Sequence, residues 1–350
     1  MSRVLRVAMT FEQAWHRVPG GTAVAANKMA TALDARPSLD VVGVSARHRS
    51  DPPRPWAPPV EVHSLPWPRL ALYESWHRLR WPKVQQATGP VDLIHATAVA
   101  LPPRSAPLVV TIHDLAWLKD SSHFTRRGLS FFTRGFSLAL RDADLVLCSS
   151  RATMHDCEAA GFTRDRLRHV PLGVDMLPAA ATDIEDVRAR YGLEGPYVLW
   201  IGTVEPRKNL RRLLEAFMSL DRDIDLVLAG PKGWKEDLSS LIRDKQDRIK
   251  VLGFVPAEDL PPLYAGAEVF CSPSLLEGFG FPVLEAMTQG TPVVTSRGTS
   301  TEELAHDAGV LVEPRDSRSI AEGIESVLGH DVFAAKLAEA GRRRAAEYTW

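Results

Sequence analysis

Glu277 and Glu285 bracket seven residues in Glu277-Gly278-Phe279-Gly280-Phe281-Pro282-Val283-Leu284-Glu285. The glycines allow a backbone to approach a ligand closely, and Pro282 stands where a helix would start, its φ already helical. The N–H groups of a first helical turn have no intrahelical partner and point outward, a ready seat for anions. The spacing places Glu277 in the loop and Glu285 in the first turn. Two carboxylates so placed can accept paired hydrogen bonds from vicinal hydroxyls, as a sugar or a ribose presents them. Each glutamate alone could instead complement a helix dipole, worth about 0.3–1 kcal/mol.

A second cluster is Gly202-Thr203-Val204-Glu205-Pro206-Arg207-Lys208-Asn209-Leu210. Arg207 and Lys208 fall at a strand-to-helix turn, where the helix dipole is unfavourable to cations, so an anionic ligand gives them a purpose. Arg forks onto two phosphate oxygens and Lys adds a point charge; the other reading is a solvated pair at a helix start. Gly20-Gly21-Thr22 precedes an amphipathic run and resembles a phosphate-cradling loop, although it is not G-x-G-x-x-G and an ordinary turn explains it equally. In Thr111-Ile112-His113-Asp114-Leu115 a histidine ends an apolar run. It would face the same cleft as Glu277 or be a structural histidine, with Asp114 either orienting its ring or capping the turn.

These residues all follow short apolar runs. The runs fall at residues 4–11, 39–46, 91–97, 108–113, 144–149 and 167–171, then at 197–203, 225–230, 249–255, 269–274, 292–296 and 310–313. Continuous Val/Leu/Ile stretches separated by helical segments (22–33, 210–220, 282–289 and 317–328) imply parallel strands covered on both faces. Two such series predict an α/β chain of two doubly wound Rossmann-like domains, residues 1–175 and 176–350. The default site of such a pair is a cleft between facing carboxyl strand ends. A length of 350 residues also suits two cores better than one.

The net charge of −1 hides a balance of +7 in residues 1–175 and −8 in the rest, so the halves have different partners. The overall charge argues against a nucleic-acid partner. The absence of a ~20-residue apolar run, the arginines near the N-terminus and three cysteines without a CxxC pair predict a cytoplasmic protein. There is no G-x-S-x-G elbow, P-loop, H-E-x-x-H or Cys/His cluster with metal spacing.

In this order, the residues 111–115, 170–175, 202–210 and 253–255 and the paired-glutamate motif resemble the retaining glycosyltransferases of family four. The resemblance is closest to bacterial mannosyltransferases that use GDP-mannose, and it implies the GT-B architecture. It further implies that Glu277 binds donor-sugar hydroxyls, Glu285 the ribose, and Lys208 with Arg207 the diphosphate. Backbone around Phe279, Gly280, Phe281, Val283 and Leu284 would contact sugar and phosphate, and Phe254 and Val255 the base. Gly20 and Gly21 would close over the diphosphate, and His113 would lie near the reacting carbon. Many members carry Arg where this chain has Thr203, which makes Arg207 the candidate second cation of the donor site. Members also usually continue past Tyr348-Thr349-Trp350 with a helix returning to the first domain, so the resemblance expects further chain or looser coupling of the domains.

The implied activity is transfer of a hexose, foremost mannose, from a nucleoside-diphosphate sugar to a glycan or lipid-linked acceptor of the cell envelope. No cofactor and no divalent metal are expected, because amides and cations would hold the phosphates. Trp67, Tyr73, Trp76 and Trp81 interleaved with Arg69, Arg78, Arg80 and Lys83, and the basic stretch 119–141 with Phe124, Phe131, Phe132 and Phe136, suit an anionic membrane face or an ordinary core with a solvated rim. The competing readings are a GT-B nucleotide-sugar epimerase and a non-catalytic two-domain sugar-binding protein.

Overall fold

A computed structural model describes residues 3–16, 19–233, 242 and 247–350. The chain divides into two compact units, one running to Leu172 and the other Gly173–Thr349, a division that falls within the Pro171–Asp175 stretch.

The first unit is built on a seven-stranded parallel sheet in the order β3-β2-β1-β4-β5-β6-β7. Its strands are β1 (Leu5–Thr10), β2 (Leu39–Ser45), β3 (Val62–Ser64), β4 (Leu93–Ala96), β5 (Leu108–Ile112), β6 (Leu145–Cys148) and β7 (Leu167–His169). Alternate residues of β1 enter different cores: Val7 and Met9 pack with Ala26 and Ala30 of the helix Gly20–Asp34, whereas Ala8 packs with Val42, Ile94 and Val110. That two-sided burial is why the strands read as continuous apolar runs. β3, Val-His-Ser at the sheet edge, carries no such run and was not legible.

In the second unit the order is β10-β9-β8-β11-β12-β13. The strands are β8 (Tyr197–Ile201), β9 (Asp225–Ala229), β10 (Ile249–Gly253), β11 (Val269–Ser272), β12 (Val293–Ser296) and β13 (Val310–Val312). The helices Leu210–Met218 and Ser317–Leu328 bury Leu213, Leu214, Phe217, Ile320 and Ile324 against Val198, Trp200, Leu226 and Leu228. β8 lies between β9 and β11, so the strand order reverses there and the loops leaving β8 and β11 diverge to opposite faces. Such a switch point opens a crevice at the carboxyl strand ends. In the first unit the corresponding point lies between β1 and β4.

Among the described residues no helix is long and apolar enough to cross a membrane.

Candidate donor site

The loops leaving β8 and β11 carry the two strongest sequence signals, and the switch point joins them. After β8 a 3-10 turn, Pro206–Lys208, leads through Asn209 into the helix Leu210–Met218. Asn209 takes the left-handed conformation (φ 59°), which Asn tolerates better than most residues. Its buried amide donates to the carbonyls of Pro273 (2.8 Å) and Pro314 (2.5 Å), tying this turn to the loop after β11. Ser300 fixes the other side, its hydroxyl lying 2.9 Å from the Glu277 carbonyl and 3.0 Å from that of Phe279.

Between these braces lies a buried ion cluster. Lys208 Nζ donates to Glu277 Oε1 at 2.5 Å, Arg207 Nη1 to Glu277 Oε2 at 3.1 Å, and the Ser274 hydroxyl to Glu277 Oε1 at 2.8 Å. Arg207 also pairs with the buried Glu205 at 2.7 Å and donates to the Leu276 carbonyl. Two cations thus face two carboxylates. Burial alone would raise the Glu277 carboxyl, but the charges of Lys208 and Arg207 and the bonds from Lys208 and Ser274 bring it down to about 2. A folded value below the ordinary 4.5 stabilises the fold fully above pH ~4.5, and that contribution is lost as pH falls toward 2. Thermal melts between pH 5 and pH 3 should therefore fall less steeply for Glu277→Gln than for the parent chain. Parallel melting curves would contradict this electrostatic reading.

Glu285 corrects the sequence expectation. The helix runs Phe281–Gln289 with Gly280 as N-cap (φ 113°) and Pro282 at its second position, so Glu285 lies in the second turn. Its half-buried carboxylate accepts a 2.8 Å hydrogen bond from the Tyr264 hydroxyl, and desolvation holds its carboxyl above the ordinary range. Tyr264→Phe should leave it without that donor and cost about 1–3 kcal/mol in urea denaturation. An unchanged midpoint would mean that the pair is energetically idle.

The rest of the motif divides by burial. Val283 and Leu284 are core residues, and their amides already bond the Gly280 carbonyl at 3.0 and 3.3 Å. Any amide role in this stretch therefore moves to its loop end. Phe279 is buried and packs edge-on to Phe281 and Tyr348. Thr203 stands just beyond β8, where Gly233 packs so close that an added Cβ would lie 2.8 Å from its methyl. Phe254, beyond β10, is 67% exposed, whereas Val255 is buried. Sequence reasoning gave no role to Glu205, Asn209, Tyr264, Ser274 and Ser300; their partners are 21 to 105 residues away or hidden by turn geometry.

The remaining candidates lie in the first unit. Gly20 (φ 62°) and Gly21 are not a loop but the first residues of the helix Gly20–Asp34, and open space surrounds a Cβ added at Gly20. His113 follows β5, its Nε2 3.1 Å from the Thr97 carbonyl, and burial lowers its pKa. Asp114 does not orient it: that carboxylate accepts from the amide of Ala116 at 3.0 Å, the capping alternative. Most aromatic residues of the basic stretches also turn inward. Trp76 is buried and donates to the Pro82 carbonyl, Phe136 is buried against Trp117, and Phe131 stacks on Tyr73 and His77. Arg80 is committed to three carbonyls and Asp142. Of that set only Trp81 is exposed.

Comparison with known proteins identifies the family and the fold. A family model described as Glycosyl transferases group 1 matches residues 183–344, and one described as Glycosyltransferase Family 4 matches residues 19–176. The chain is 33% identical over 269 residues to O-antigen chain mannosyltransferase B of Escherichia coli, covering 74% of this chain and 71% of that protein. It is 30% identical over 267 residues to the MMP alpha-(1->4)-mannosyltransferase of Mycolicibacterium hassiacum, covering 70% and 62%. Its fold matches that of Anabaena Alr3699/HepE, solved with UDP and glucose, with a TM-score of 0.78 at 21% identity over 98% of this chain and 95% of that one. WaaG, a glycosyltransferase involved in lipopolysaccharide biosynthesis, matches with a TM-score of 0.75 at 18% identity, covering 97% and 95%.

Proposed function

Because the chain belongs to the group 1 and family 4 glycosyltransferases, with two Rossmann-like domains of the GT-B kind, we propose that it transfers mannose from GDP-mannose, with retention, to a glycan or lipid-linked acceptor of the cell envelope. The observation that carries this reading is the Glu277–Lys208–Arg207 cluster at the switch point of the second unit. The mannosyltransferase names of the relatives at 33% and 30% identity support the choice of sugar.

The cluster suggests how the donor is taken up. Before binding, Glu277 is the counter-ion of both cations. An arriving diphosphate brings phosphoryl oxygens that draw Lys208 and Arg207 to themselves. That frees the Glu277 oxygens to accept hydrogen bonds from hydroxyls of the sugar. Glu285 would serve the ribose, and Phe254 with Val255 the base. Gly20 and Gly21 would contribute backbone to the diphosphate, and His113 would contact the transferred sugar. As the bond between the anomeric carbon and the phosphate oxygen breaks, negative charge grows on the leaving diphosphate, where preorganised cations stabilise it. An acceptor hydroxyl attacks the same face of the sugar, its oxygen bonds to the anomeric carbon, and its proton passes to the departing phosphate oxygen.

Positive charge supplied by side chains makes a divalent metal unnecessary in this scheme, so turnover should be unchanged in EDTA. The test of the whole reading is incubation with radiolabelled GDP-mannose and a bacterial envelope extract. An α-linked mannosyl product, formed also in EDTA, is the expected result; incorporation from UDP-glucose but not GDP-mannose would overturn the donor assignment. Leu79 and Trp81, exposed beside Arg78, support a modest peripheral contact with an anionic membrane on the cytoplasmic side.

A further inference from the structure

A cavity of about 340 Å³ lies within the first unit, and none of the residues proposed to hold the donor lines it. It is lined from three segments: His16 after the turn that follows β1, Arg69, Tyr73 and Glu74 on the helix Arg69–Arg78, and Arg127 and Phe131 near the start of the helix Arg126–Asp142. Its volume is that of a small-ligand site. Tyr73 and Phe131 stack at 5.3 Å and form an apolar wall.

The charges on this cavity are unbalanced. Glu74 is neutralised from outside it, accepting from Arg78 at 2.7 Å and Arg134 at 3.3 Å. Arg69 donates only a long 3.5 Å bond to the Trp15 carbonyl, and among the described residues neither Arg69 nor Arg127 has a carboxylate partner. Arg127 is the second residue of a helix whose first turn carries no acidic residue, where the dipole disfavours a cation. Two unpaired guanidinium groups on one small cavity await an anion, and their fork geometry suits phosphoryl oxygens. Burial, then Arg69 and His48, hold His16 down to about pKa 4, so this ring is a neutral polar neighbour and adds no third charge.

We propose that this cavity binds a phosphate group of the acceptor, Arg69 and Arg127 taking its oxygens while the Tyr73–Phe131 wall packs against the sugar or lipid attached to it. The inference rests on the glycosyl-transfer reading and names its acceptor class: a phosphorylated or diphosphate-linked molecule. A transferase extending such molecules depends on a preceding reaction that attaches the phosphate.

The test is equilibrium dialysis of the full chain against inorganic pyrophosphate. Two sites per chain are expected in the wild type: this one, and the donor site, which GDP competes for and Lys208→Ala removes. Arg69→Gln/Arg127→Gln should bind one pyrophosphate, keep GDP affinity within twofold, and raise the KM for the acceptor at least tenfold with the donor KM unchanged. One site in both proteins, or two in both, overturns the proposal. Loss of the Lys208-dependent site alone would count against the donor reading and leave this one standing. Phosphatidylglycerol vesicles separate the sources of phosphate: sedimentation abolished by the double variant assigns it to a bulk lipid headgroup and overturns the acceptor assignment. Arg127→Gln alone, an exposed position without a partner among the described residues, repeats the comparison with minimal risk to folding.

Discussion

Glu277→Gln should cut turnover sharply while strengthening the binding of plain GDP. The carboxylate sits 2.5 Å from Lys208 and 3.1 Å from Arg207, so it competes with any phosphate for both cations. Neutralising it removes that competitor. A gain of about tenfold in GDP affinity corresponds to about 1.4 kcal/mol, well below the ~4 kcal/mol that two unit charges at 4 Å exchange at an effective dielectric of 20. The sugar, by contrast, loses a charged acceptor for its hydroxyls, and turnover should fall by about 10²–10³-fold, the usual cost of one preorganised polar group. Opposite signs for the two measurements separate a counter-ion that is exchanged on binding from a residue that is merely structural. GDP binding weakened in a folded Glu277→Gln protein would contradict the exchange.

Gly230→Ala should be the most damaging single-methyl change in the second unit. Gly230 follows β9 with φ 139°, and an added Cβ would lie 1.9 Å from the Gly202 carbonyl oxygen and 2.7 Å from its carbon. Both are backbone atoms and cannot rotate away. Its amide bonds the Gly253 carbonyl at 2.6 Å and the Gly202 amide bonds the Ala229 carbonyl at 3.0 Å, so glycines close the ends of β8, β9 and β10 at the root of the Thr203 loop. We expect a loss of about 3 kcal/mol or more from backbone strain and displacement. At about 2–4 °C per kcal/mol for a unit of this size, the melting midpoint drops by about 6–12 °C. Gly192→Ala is the control: φ is 62°, yet nothing lies within 4 Å of the new methyl, so only about 1–2 kcal/mol of left-handed strain applies. Equal losses at the two positions would show that the close approach to Gly202 carries no energy.

These expectations rest on features that differ in how far the sequence reveals them. Twelve of the thirteen strands coincide with apolar runs because the inner strands are covered on both faces, and the edge strands β7 and β10 still carry apolar residues; β3 escaped because its three edge residues carry no such run. The cations and the glutamates were legible because residue type and position after a strand mark them together. Their mutual pairing was not, since Lys208 and Glu277 are 69 residues apart and only the β8–β11 adjacency brings them into contact. Pro282 marked the helix start, but Gly280 caps it one residue early, which carried Glu285 into the second turn beside Tyr264. Burial of Val283 and Leu284 follows from the helix face they occupy against the sheet, which a nine-residue motif does not display.

The central claim is that the switch point of the second unit binds a nucleoside-diphosphate mannose through Lys208 and Arg207. Titration calorimetry of the full chain with GDP-mannose, in parallel with Lys208→Ala, tests it most directly. The account predicts one saturable site in the parent chain, weakened at least 30-fold, or about 2 kcal/mol, in the variant, in keeping with the loss of a charged hydrogen bond. GDP-mannose binding that is absent from the parent, or equal in the two proteins, would contradict it.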